Sequence, residues 1–166
     1  MRLVNHRSRL WLLFVVIAVV VAGGAYAAAP GSTAATAHPR VHNQTIELRE
    51  ASDTPNLKVV DIGAPGLSTG DHVVTTDGLV RPDGTSAGSF TTVCTVVQPG
   101  ANLFVSAYDC SGSFQLAQGQ LTVQGSFVPT DPESSFAITG GTGVFAAASG
   151  EAILATEADE ITIALD

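Results

Sequence analysis

Phe136-Ala137-Ile138-Thr139-Gly140-Gly141-Thr142-Gly143-Val144-Phe145-Ala146-Ala147-Ala148-Ser149-Gly150 is a short apolar run, a glycine-rich turn and a second apolar run that ends at another glycine. Phe136 and Ile138 share one face of the entering strand, and Phe145 opens the alternation of the leaving one. The glycines between them supply the positive φ that a tight β-turn demands. A phosphate cradle would be built differently. The G-x-G-x-x-G spacing is absent, no Lys-Ser/Thr follows, and no helix begins here to aim its N-terminus at an anion. The stretch reads as a hairpin that sets which side chains face inward.

Working outward, every segment from Thr45 onward carries the same kind of signal. Val, Ile, Thr and Phe recur at alternate positions in short runs bounded by Gly, Pro, Asp and Asn. The pattern predicts strands over 45–51, 57–62, 71–80, 87–97, 103–109, 113–116, 120–128, 134–139, 144–156 and 160–165. Pro82-Asp83-Gly84, Pro99-Gly100, Ser111-Gly112, Gln118-Gly119 and Gly140-Gly141 are the expected turns. Eight to ten strands in this length make either a sandwich or a closed up-and-down barrel. Short connections, glycines inside strands at Gly88, Gly125 and Gly150, and strands apolar or Thr on both faces favour the barrel. Phe90, Phe104, Phe114, Phe127, Phe136, Phe145 and Tyr108 would then fill its core or line a cavity.

The first thirty residues read as something else. Arg2, His6, Arg7 and Arg9 precede an unbroken apolar run from Leu10 to Ala22, and Ala25-Tyr26-Ala27 offers small residues for a signal peptidase. The expectation is a signal peptide over 1–27, a flexible linker over 28–44 and one domain over 45–166. An uncleaved anchor, with the domain still outside the membrane, is the competing reading. Four bases against fifteen acids give the cleaved chain a net charge of −11. Such a surface repels phosphate backbones and anionic lipid, so neither nucleic acid nor a membrane beyond the leader is an expected partner.

Gly66-Leu67-Ser68-Thr69-Gly70 fits G-x-S-x-G, but a nucleophile elbow needs a helix after the serine, and a strand follows here. It reads as a loop. No set of His, Cys and carboxylates has metal-ligand spacing, so no metal site is expected. Cys94 and Cys110 are the only cysteines, and outside the cytoplasm they are expected to form a disulfide. A turn at 99–102 would place Cys94 opposite Ala107, so the bridge requires a bulge or a longer connection.

Four blocks together carry a family resemblance: Thr69–Leu79, Gly88 with Cys94, Leu121–Gly125, and Phe136–Phe145 with Gly150. In this order they resemble the allene oxide cyclase barrel family, and the last block is shared with dirigent proteins. The resemblance implies an all-β, single antiparallel eight-stranded up-and-down barrel, lipocalin-like, with an apolar lumen. It also implies a site. In the plant cyclases a first-strand Glu, an Asn, a water and a lumen Cys surround a fatty-acid epoxide while a ring closes. The corresponding positions here are Glu47, Asp77 in place of the Asn, and Cys94, with Arg49 where the family has a further Asn. A carboxylate replacing an amide changes the electrostatics of an apolar lumen, and a bridged Cys94 is no longer a free thiol.

The function expected on this basis is a secreted isomerase or cyclase that needs no cofactor. It would act on a small apolar molecule, lipid-like or polyketide-like, held among Phe90, Phe104, Tyr108, Phe136 and Phe145. A non-catalytic barrel binding an apolar molecule or a protein is the alternative. Family members form dimers or trimers, which makes a homo-oligomer an expectation of the resemblance alone.

Overall fold

The computed structural model describes residues 41–52 and 54–166. The stretches expected to be a signal peptide, 1–27, and most of a linker, 28–44, lie outside the described residues. The domain consists of nine strands: β1 (Gln44–Glu50), β2 (Asn56–Val60), β3 (His72–Val80), β4 (Ser86–Gln98), β5 (Ala107–Leu116), β6 (Gly119–Phe127), β7 (Glu133–Gly141), β8 (Gly150–Ala155) and β9 (Glu160–Leu165). From β2 to β9 each strand pairs with the next antiparallel, and β1 joins the two ends by pairing with β9 on one side and β3 on the other.

The junction has an unusual form. Glu50 of β1 stands opposite Leu79, and Asn56 of β2 opposite Thr76, so β1 and β2 occupy successive lengths of the same edge of β3. They make one stave broken at 51–55, and the barrel closes with eight staves. Backbone bonds brace the break: Ala51 N–H donates to Gly78 O and Glu50 N–H to Asp159 O. Every residue of β2 is exposed, and Leu57, Val59 and Val60 leave large apolar side chains in contact with solvent.

Alternation along the strands produces two different halves. Leu48, Leu79, Phe114, Leu121, Phe145 and Ile163 belong to a close-packed cluster that fills the half nearer the β5–β6 turn. The other half holds a smaller cluster of Val73, Val96, Tyr108 and Cys110. Phe136 packs against both. One half is therefore solid, while the other has room inside.

Three local readings of the sequence need correction. Ser111-Gly112 is not a turn, because β5 runs through it. A Cβ on Gly112 would lie 2.8 Å from the Thr92 methyl and 3.0 Å from Thr91 O, so glycine is there to let β4 approach closely. Residues 103–105 are not strand but a short 3-10 turn capped by the Asn102 side chain, inside the connection from 99 to 106. The strand expected from Val144 begins only at Gly150, after a second 3-10 turn at Gly143–Phe145. The glycine-rich stretch is pinned to the β5–β6 turn by Thr142 N–H to Gln120 O and Val144 N–H to Gln118 O. It closes the solid half of the barrel and is longer than a tight hairpin.

Asp71 explains the Gly66–Gly70 loop. Its side chain is buried and accepts from Ile62 N–H at 2.8 Å, Ser68 N–H at 2.7 Å and the Ser68 hydroxyl. The Ile62 and Ser68 backbone donors hold its carboxyl below the ordinary carboxylate range. Ser68 thus serves a loop-building carboxylate and is not presented as a nucleophile.

Candidate functional site

The hollow half contains a cavity of about 370 Å³. Its walls come from inward positions of successive strands: Val73 and Thr75 of β3, Phe90 and Thr92 of β4, Tyr108 of β5, Phe127 of β6 and Phe136 of β7. The rings follow one another along the wall, with centroids of Tyr108 and Phe127 6.3 Å apart and those of Phe127 and Phe136 6.5 Å apart. Leu57 of β2 and Phe104 of the 99–106 connection line the same space, yet Phe104 is 71% exposed, so the cavity opens to solvent beside it. The Tyr108 hydroxyl donates to Leu103 O at 2.6 Å and anchors that connection over the cavity.

Cys94 and Cys110 stand directly opposite each other on β4 and β5 and form a disulfide on the inner wall. The register is restored by both devices expected for it: a bulge between Val96 and Gln98, and an eight-residue connection from Pro99 to Ser106. Cys94 is consequently a wall element and carries no thiol.

The carboxylate that faces the cavity is Glu50. Along β1, Ile46, Leu48 and Glu50 share the inward face, while Glu47 stands on the exposed face opposite Thr162. Glu47 lines a separate groove of about 460 Å³ at the other end of the barrel, with Arg81 and Pro82, so it does not reach the cavity. Arg49 also points outward and pairs with Glu160 at 2.5 Å. Burial pushes the Glu50 carboxyl up from 4.5 to about 7, and the nearby carboxylates Asp159 and then Asp77 push it the same way. Asp159, in the β8–β9 turn, lines the cavity beside Glu50. So does Thr156, whose buried hydroxyl has no hydrogen-bond partner among the described residues. The cavity thus has apolar, aromatic walls and one polar corner.

Asp77 shares the inward-facing alternation of Val73, Thr75 and Leu79 along β3, opposite Phe90, and its carboxylate is occupied in the fold. It accepts from Ser52 N–H at 3.1 Å, which ties the broken stave to β3, and from its neighbour Gly78 N–H at 2.7 Å. Of the residues expected to bind a substrate, Phe90, Phe104, Tyr108 and Phe136 line the cavity. Phe145 does not: it is buried in the solid half, next to the other groove. Phe127, expected among the aromatics of the core or cavity, lines it too, while Glu50, Asp159 and Thr156 were missed. Glu50 was within reach, because the period of two through Ile46 and Leu48 points to it and away from Glu47. Asp159 and Thr156 had no such signal, since a turn brings them to the corner.

Residues 44–163 match the family described as Allene oxide cyclase barrel like domain. The chain belongs to this family. No curated protein sequence matches it. Among solved structures it is similar to one titled pyocyanin demethylase, with 25% identity and a TM-score of 0.61, covering 74% of this chain and all of that one. It is similar in fold to a haem-binding cyclase that catalyses a cycloaddition during neoabyssomicin biosynthesis, with 14% identity and a TM-score of 0.51, over 75% of this chain and 62% of that one. The Diels–Alderase AbmU from Streptomyces koyangensis also shares the fold, with 13% identity and a TM-score of 0.50, over 80% of this chain and 72% of that one. The family assignment accords with the resemblance drawn from the four sequence blocks, and the fold is the barrel it implied.

Proposed function

We propose that this barrel binds a small, largely apolar molecule in the cavity of its hollow half and isomerises or cyclises it without a cofactor. The observation that carries the reading is Glu50: a carboxyl with a pKa of about 7 facing an apolar cavity of about 370 Å³. A group that is half ionised near neutrality takes and returns a proton with little cost in either direction. Confinement by aromatic walls supplies the second element, since a ring closure or proton shift within one molecule is promoted by restricting its conformations. Thr156 offers a hydroxyl to an oxygen or nitrogen of the substrate, and no thiol chemistry enters because Cys94 is bridged. The similarity to solved structures named for a demethylase and for cycloaddition catalysts supports a catalytic use of the scaffold, though fold alone leaves the reaction open. The leader over residues 1–27 directs the domain outside the cytoplasmic membrane in this proposal.

The experiment is turnover in deuterium oxide. A panel of small unsaturated ketones and polyenes is incubated with the purified protein without added cofactor, and isomerised or cyclised products are followed by mass spectrometry. Glu50→Gln is expected to lower the rate by about a hundredfold or more. Products formed equally fast by this variant would overturn the assignment to Glu50.

A second reading is binding without turnover. It is favoured by two facts: the inherited Glu47 lies outside the cavity and Cys94 is locked in a disulfide. Retention of panel molecules in the cavity with no product from any of them would decide for it.

A further inference from the structure

We infer that the cavity selects a small aromatic molecule bearing a positive charge, its rings among Tyr108, Phe127 and Phe136 and its cationic group at the corner formed by Glu50 and Asp159. The inference rests on the cavity being the binding site, and it adds the charge and shape of the occupant. The walls argue for aromaticity. A row of rings and the Cys94–Cys110 sulfurs present polarisable surfaces to a flat π-system.

The corner argues for charge. Glu50 comes from β1 and Asp159 from the β8–β9 turn, while Asp77 of β3, outside the cavity lining, is close enough to act on Glu50 by its charge. Among the described residues no Lys, Arg or His lines the cavity. The bases in the neighbourhood are outside it: Arg49 faces outward and pairs with Glu160, and Lys58 of β2 is exposed. An anionic head group, such as a fatty-acid carboxylate, would meet the carboxylates of Glu50 and Asp159 and no counter-charge. A cation there is attracted by Glu50 and Asp159, and the rest of an aromatic occupant lies along the wall of rings. The net charge of −8 for the whole sequence extends the same preference to long range. A bound cation would also favour the ionised form of Glu50, so its binding strengthens as pH rises through 7.

The test compares three fluorescent aromatic probes of similar size: N-methylacridinium, which is cationic; N-phenyl-1-naphthylamine, which is neutral; and anthracene-9-carboxylate, which is anionic. At pH 8 the cation is expected to bind about tenfold tighter than the neutral probe, and the anion about tenfold weaker. At pH 5.5 the advantage of the cation should shrink, and Glu50→Gln should abolish most of it at pH 8 while leaving the neutral probe unaffected. Asp159→Asn provides a second variant with a smaller loss of the same sign, and a thermal melt of each verifies folding. Thr75→Trp, which fills the cavity, should exclude all three probes. Anion binding as tight as that of the neutral probe, or a cation preference intact in both carboxylate variants, would overturn the charge inference while leaving the cavity as the binding site. Failure of the neutral probe to bind, or its binding undiminished by Thr75→Trp, would overturn the cavity reading and this inference with it.

Discussion

Two acidic residues on the paired strands β1 and β3 have opposite roles, although either could have been taken for a catalytic group. Glu50 faces the cavity with a raised pKa, while Asp77 accepts two backbone hydrogen bonds, of which the one from Ser52 holds the broken stave to β3. This difference can be measured. Asp77→Ala should lower stability by about 1–2 kcal/mol through the unmade bonds to Ser52 and Gly78, with binding in the cavity weakened only modestly. Glu50→Gln should do the reverse, leaving the fold intact or more stable at pH 8 and removing activity. Urea titration and probe binding on the two variants separate the roles, and loss of activity without loss of stability in Asp77→Ala would reassign Asp77 to the chemistry. The resemblance directed attention to Asp77 and Glu47 because aligned motifs preserve position along the chain. For Glu47 the pleat decides, because Leu48 and Glu50 look inward in its place; Asp77 shares the inward face of β3 with Val73, Thr75 and Leu79, and its backbone partners are what engage it.

At the level of elements, the strands were largely legible because each has one face inside, which imposes a period of two. What could not be read were the places where glycine works through close approach. Gly112 in mid-strand and Gly140–Gly143 at the end of β7 have the same composition as turns but answer to neighbours distant in sequence. Gly143 combines both demands: its φ is +63°, and a Cβ would lie 2.3 Å from Gln118 O. Gly143→Ala should therefore separate the 3-10 turn from the β5–β6 turn and cost about 2–4 kcal/mol, seen as a lower denaturation midpoint. The β4–β5 pair supplies another prediction. The disulfide closes a loop of 16 residues, so reducing it should lower stability by about 3 kcal/mol. Thiol titration of the unfolded, unreduced protein should find none, and two reactive thiols would contradict the bridge.

For the whole molecule, pH acts through groups shifted in opposite directions. Glu50 has a folded pKa raised from 4.5 to about 7, so folding loses stability as pH rises across that interval and the full penalty applies above it. Asp71 and Asp83 are lowered, by the Ile62 and Ser68 donors in one case and by the Thr85 side chain in the other. Their contributions are complete above the ordinary carboxylate range and fade as pH falls below it. Thermal stability should peak between about pH 4.5 and 5.5, and in Glu50→Gln the decline toward pH 8 should be shallower. A melting temperature that climbs steadily from pH 5 to 8 would refute this.

The pairing of β1 with β9 has a kinetic consequence. Strands β3 to β7 meet their sequence neighbours through local connections, but the closing contact joins Arg49 to Glu160, 111 residues apart. Contacts of such separation form late, because the chain entropy lost in bringing the ends together is recovered only when both ladders zip. An open, curved meander with two unpaired edges is thus the natural precursor of this barrel. It cannot close until β9, Glu160–Leu165, has been synthesised, and a protein truncated before that strand would keep an exposed edge ready to pair with another chain.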